Sequence, residues 1–111
     1  MPTARFVHDG NLVDYTPGSA VTAGDVVVQG ELVGVAKVDI PANVLGALAV
    51  TGVFDFPKAT GTGTAIATGA NCYWDATNQR ATTTASGNKL IGKSVRAAAD
   101  ADATVRIRMS Q

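Results

Sequence analysis

The chain predicts an all-β fold, a small barrel or sandwich of short, mostly antiparallel strands with little or no helix. Three observations carry this. Apolar residues come in runs of three to six, rich in Val and separated by Gly, Pro, Asn or Asp, which is the punctuation of strands and turns. No stretch with helical periodicity is long enough to hold a helix on its own. The 111 residues show neither a repeat period nor a coiled-coil heptad, so a single core is expected.

Taken in order, residues 4–8 read as an opening strand and His8-Asp9-Gly10-Asn11 as a turn. Residues 11–15 form the next strand, with Leu12 alternating against Val13. Thr16-Pro17-Gly18-Ser19 breaks the chain, because Pro fixes φ and Gly supplies the positive φ that such turns use. Val26-Val27-Val28 is the clearest strand, and residues 31–38 continue after Gln29-Gly30 as its partner. Pro41-Ala42-Asn43 interrupts, with at most a helical turn over 44–47, before residues 48–56 read as one long apolar strand. Asp55, between Phe54 and Phe56, marks that strand's exposed face.

Pro57-Lys58 closes it, and residues 59–70 are Gly, Thr and Ala around a single Ile66, which predicts a loop with one weak strand. Residues 72–76 and 80–84 flank Thr77-Asn78-Gln79 as a hairpin. Residues 89–97 alternate, and so do 104–109, as Val105, Ile107 and Met109 against Arg106 and Arg108. The link over 98–103 is the one helix-friendly segment and is too short to stand alone. Eight to ten strands result, in a single β-rich domain over 11–111 preceded by an extended arm over 1–10.

Composition narrows the function classes. Leu, Ile, Val and Phe number 26, enough to fold, while Ala, Thr and Gly together make 44, so the core is thin. At about 25 cal/mol per Å² of apolar surface, small side chains offset conformational entropy poorly, and self-association is the expected remedy. Nine acidic residues balance nine basic ones, which argues against bare nucleic acid as the main partner. Cys72 is the only cysteine, so neither an intrachain disulfide nor a multi-cysteine metal site is expected, and its strand setting predicts an inert, buried thiol. No apolar run has the length of a signal peptide core or a membrane span, which predicts a soluble protein without a membrane partner.

One motif points to chemistry. Gly87-Asn88-Lys89-Leu90-Ile91-Gly92-Lys93-Ser94 satisfies G-x-x-x-x-G-K-[ST], the phosphate-cradling loop in which backbone amides and the N-terminus of a following helix hold a nucleotide. Here Leu90 and Ile91 alternate through the would-be loop, no helix follows Ser94, and no later apolar strand ends in a magnesium-binding Asp. Gly87, Gly92, Lys93 and Ser94 are therefore read as a chance match on a strand. His8 is the sole histidine and lies beside a turn, leaving no triad. Asp100 and Asp102 are expected to bond local backbone rather than a cation, and Gly61-Thr62-Gly63-Thr64 is half a dinucleotide fingerprint with an ordinary loop reading. No catalytic, cofactor or metal site is predicted. Adjacent Tyr73 and Trp74 must face opposite sides of a strand, one of them inward.

The blocks Ala23-Gly24-Asp25-Val26-Val27-Val28, Val33-Gly34-Val35-Ala36, Gly46-Ala47-Leu48-Ala49-Val50, Gly52-Val53-Phe54-Asp55-Phe56-Pro57-Lys58, Gly69-Ala70 with Tyr73-Trp74-Asp75, and Asp102-Ala103-Thr104-Val105-Arg106-Ile107-Arg108 resemble a small family of tailed bacteriophages. That family was long filed as a domain of unknown function and is often labelled a predicted RecA/RadA phage recombinase, while its virion members behave as capsid decoration, or cement, proteins. The resemblance spans nearly the whole chain. It implies a non-enzymatic, trimeric all-β protein, made in the bacterial host cytoplasm, that binds the major capsid protein on the outside of the virion. Arg5, Phe6 and Val7 on the arm are then candidates for capsid contact through strand addition, and Phe54, Phe56 and Trp74 are anchor candidates for the oligomer interface on size alone. The rival readings are a β-barrel module that binds another phage component and the recombinase itself.

Overall fold

Nine strands form among residues 3–111, the residues that the computed structural model describes, and they sort into two antiparallel sheets. The first holds β1 (Leu12–Tyr15), β2 (Val26–Gln29), β3 (Leu32–Val35) and β4 (Gly46–Ala49) in the order β1-β4-β3-β2. The second holds β5 (Gly52–Pro57), β6 (Asn71–Asp75), β7 (Arg80–Thr82), β8 (Lys89–Ser94) and β9 (Thr104–Met109) in the order β5-β9-β8-β6-β7. A lone bridge from Lys58 to Ala81 links the end of β5 to β7, so the second sheet curls without closing. The molecule is a sandwich-like all-β fold and not a closed barrel.

Alternation decides what faces inward. On β9, Val105, Ile107 and Met109 are buried while Thr104, Arg106 and Arg108 are exposed. They meet Phe56, Trp74 and Ile91 from their own sheet and Val33 and Val35 from the other, making the main core between the sheets. The first sheet also buries part of its opposite face. There Leu48, Ala36 and Ile40 pack with Val13, Tyr15, Val21 and Val27, beneath two connections joined by a bridge between Val21 and Ile40.

Two contacts tie the layers together. Lys89 of β8 pairs with Glu31, in the β2–β3 turn, at 2.8 Å. β3 and β4 are in register only at Val35 and Ala49; farther along β3, the Gln111 amide donates to the Val33 carbonyl at 2.6 Å and accepts from its N–H at 2.7 Å. A side chain there does the work of a neighbouring strand.

β8 and β6 change register between Cys72 and Tyr73: Gly92 stands opposite Cys72 and Leu90 opposite Tyr73, so Ile91 is the extra residue of a bulge. The bulge leaves Ile91 and Gly92 both buried. Gly92 presses directly on β9, where a Cβ would lie 2.0 Å from the Arg108 carbonyl oxygen.

Several expected elements differ from those observed. Residues 4–8 form no strand, because no neighbouring strand pairs with them. The long strand over 48–56 is two strands in different sheets, separated where Gly52 adopts φ 117°, a conformation open to Gly but strained for other residues. β3 ends at Val35 instead of running to 38, and the chain turns away toward Ile40. The segments 44–47 and 98–103 contain no helix: β4 already starts at Gly46, and the second segment is a turn in which the Asp102 carboxylate accepts from the Ala99 N–H.

Gly92→Ala should cost at least about 3 kcal/mol, because the conflict is with backbone that cannot step aside. Gly10→Ala should be close to neutral, since nothing lies within 4 Å of a Cβ at that turn. Urea unfolding of the two variants beside the parent chain measures the difference.

Candidate functional site

The nucleotide-loop look-alike is consumed by folding. Gly87 supplies a positive φ of 77° in the turn before β8, and residues 89–94 are the strand itself. Ser94 is buried; its hydroxyl donates to the Ala67 carbonyl and accepts from the Ala70 N–H at 3.3 Å, pinning the loop that leads into β6. Lys93 is exposed on the opposite face of β8. A phosphate cradle needs successive amides converging on one point, whereas these amides lie along an extended strand.

The predicted contact residues fall into two groups. Arg5, Phe6 and Val7 lie in an exposed segment without secondary structure, and Phe6 and Val7 are 79% and 77% exposed. Residues 1 and 2 of the expected arm lie outside the described residues. Phe56 and Trp74 belong to the core instead: they are 1% and 3% exposed, with ring centroids 6.1 Å apart. The expectation that these two anchor an oligomer interface conflicts with that placement, because their surface is already covered within one chain. Phe54 is half-buried, edge-on to Phe56 at 6.4 Å, and keeps some surface for a partner. Trp74 is the inward member of the Tyr73–Trp74 pair.

The outer face of the second sheet is the feature that sequence reading missed. Its rows follow from the strand registers: Val53 of β5, Arg108 of β9, Lys93 of β8 and Asn71 of β6 stand side by side. In the next row Asp55 stands opposite Arg106, and their side chains form a two-pronged pair at 2.9 and 3.2 Å. Arg96 lines the same hollow of about 220 Å³ as Asp55, Arg106 and Asp102. The bond from Arg106, helped by the nearby Arg96 charge, holds the Asp55 carboxyl below its ordinary range. The alternation of β9 did place Arg106 and Arg108 on one face; the missing information was that Lys93 and Arg96 join them there.

The remaining candidates are engaged in structure. Asp100 accepts from the Thr64 and Ala65 N–H groups at 3.1 and 2.9 Å, which ties the Gly61–Thr64 loop to the β8–β9 connection. Lys58, 5% exposed, donates from the same region to the carbonyls of Ala59 and Asp102 at 2.7 and 3.0 Å. Asp75 caps the β6–β7 turn, and its bonds with Asn78 keep its carboxyl low. Cys72 is fully buried, and burial pushes its thiol up, away from the reactive thiolate. His8 is exposed, its Nδ1 2.6 Å from the Asp9 carbonyl. Among the described residues no three His, Cys, Asp or Glu side chains gather as metal ligands would, and no helix is long and apolar enough to cross a membrane.

An open two-sheet β-domain with an exposed N-terminal segment and a partly cationic sheet face is the class these features define. The phage cement protein family matches residues 7–109, and the chain belongs to that family. Comparisons with curated proteins and with solved structures find no match.

Two outcomes follow from this geometry. ATP titration by calorimetry should show no saturable binding; Lys93→Ala should not lower stability, while Ser94→Ala should lower it by about 0.5–1.5 kcal/mol through loss of the hydroxyl's bonds to the Ala67 carbonyl and the Ala70 N–H. A micromolar ATP site abolished by Lys93→Ala would contradict the strand reading. Asp55 and Asp75 both titrate below their ordinary range in the folded chain. Their contribution to stability is therefore complete above the unfolded value of about 3.9 and is lost as pH falls below it through the folded values. Acid unfolding followed by circular dichroism should show a shallower decline below about pH 4 for Asp55→Asn with Asp75→Asn than for the parent.

Proposed function

We propose that this chain is a non-enzymatic structural protein that binds the outside of a tailed-phage capsid and stabilises it, after synthesis in the host cytoplasm. Membership in the phage cement family over residues 7–109 is the observation that carries this reading. The major capsid protein is the partner, and the chain acts as a closed homo-oligomer, a trimer.

The arm supplies the contact. Its residues from 3 to 10 are exposed and unpaired within the described chain, and Phe6 and Val7 hold apolar surface in water. Strand addition to a coat-protein sheet would satisfy the arm's backbone groups, and alternate side chains would set its register. Arg5 beside Phe6 adds a charge that can pair at the rim of such a contact. Phe54 is the remaining aromatic candidate for contact between copies.

Purified chain mixed with cement-free expanded capsids of the phage that encodes it should co-sediment with them, and light scattering should give a small closed oligomer. Removing residues 1–6 should cut capsid occupancy at least about tenfold, the size of effect expected when a buried anchor is lost. Unchanged occupancy would remove the arm from the contact. A full-length chain that never leaves the supernatant would rule out the cement reading altogether.

A further inference from the structure

We propose that the outer face of the second sheet, centred on the adjacent cations Lys93 and Arg108, docks onto a carboxylate-bearing surface of the capsid protein. This deepens the cement reading and rests on it.

Lys93 and Arg108 stand directly opposite one another on β8 and β9, both exposed. Like charges in that position repel, so the pair does not serve the stability of the isolated sheet. One row away the same sheet shows the stabilising alternative, with Asp55 opposite Arg106 and bonded to it. Two ion pairs form among the described residues, Lys89–Glu31 and Arg106–Asp55, and neither includes Lys93, Arg108 or Arg96. Lys93 and Arg108 therefore stand on one face with no carboxylate within salt-bridge reach, in a chain whose net charge is zero, while Arg96 lies beside Asp55 and Asp102 in the neighbouring hollow. Positions that cost the free subunit stability are where a binding function is to be sought.

The surroundings favour a protein over nucleic acid. Val53, 56% exposed, ends the row that contains Arg108 and Lys93, and Val95, 43% exposed, follows β8. An apolar side chain within a charged row suits a protein interface, in which dry contacts alternate with ion pairs. Asp55 would repel a phosphate backbone, and so few cations give little of the counterion release on which nucleic-acid affinity depends. Complementary carboxylates on the shell would raise the encounter rate and hold one orientation.

The test compares the parent oligomer, Lys93→Gln with Arg108→Gln, and a control that removes two exposed cations elsewhere, Lys37→Gln with Arg80→Gln. Each is titrated onto cement-free capsids at about 50 mM and about 300 mM salt, a range that changes screening strongly. The Lys93/Arg108 variant should bind about tenfold more weakly at low salt, lose most of its salt dependence, and unfold at the same or a higher temperature than the parent. The control should bind like the parent. Equal capsid affinity and salt slope for the Lys93/Arg108 variant and the parent would overturn the docking face while leaving the cement reading intact. Equal weakening by the control would show an effect of net charge and overturn it as well. Tight, Lys93-dependent binding to a DNA duplex with no effect on capsids would assign the face to nucleic acid instead. Failure of the parent to bind capsids at all would overturn the function and this face together.

Discussion

The approach of β8 to β9 at Gly92 governs the second sheet, because β8 lies at its centre and every other strand of that sheet is placed relative to it. A Cβ at this position would collide with the Arg108 carbonyl, so the close spacing exists only with Gly there. The same bulge leaves Ile91 unpaired with β6 and fully buried, where it fills the core beside Ile107 and Val33. Two residues later Ser94 points inward and holds the loop around Ala67 and Ala70. The eight-residue pattern that mimics a nucleotide loop is thus a record of sheet packing: its first Gly makes a turn, its second permits a contact, and its Ser closes a loop.

Small residues have a related purpose in the first sheet. A Cβ on Gly34 would come 2.8 Å from the Leu48 Cβ, and one on Gly46 would meet the Ile40 side chain at the same distance. Leu48 and Ile40 therefore reach over glycines to build the second, smaller cluster. The composition that predicts a thin core also lets two apolar layers form on either side of a four-stranded sheet. What Gly and Ala lose in buried area is partly recovered by closer packing of the few large side chains.

Much of this was legible where a strand is paired on both edges and buried on one face. Thr104–Met109 alternates without interruption, and its boundaries and inward residues match the sequence reading. The β6–β7 hairpin was legible from its turn residues, although the positive φ of 54° falls on Gln79 and not on Asn78, the residue type that adopts it more readily. The break at Gly52 was not, since an apolar run looks the same whether it stays in one sheet or crosses to another. The opening strand failed for a different reason: residues 4–8 have strand-like composition, yet a strand exists only where another accepts its hydrogen bonds. The burial of Phe56 and Trp74 was not legible, because size marks a good anchor equally well inside a core and on a surface. For the sheet face, the spacing of Arg106 and Arg108 was visible, but its partnership with Lys93 depends on a register across strands that no single segment encodes.

The two features that the fold leaves unexplained share a physical character. An exposed N-terminal segment holding Phe6 and Val7 in water and a cation pair held face to face across strands are both unfavourable for a free subunit. Each becomes favourable when a surface of the opposite kind arrives, one by covering apolar area and one by supplying carboxylates. They also act differently in time and medium: charge works at a distance and weakens with salt, whereas arm burial needs contact and does not. A subunit carrying both would be oriented by the sheet face before the arm is laid down. On the proposed function, that order would need no catalytic group, and it would give a neutral chain with a thin core a way to recognise a shell and then stay on it.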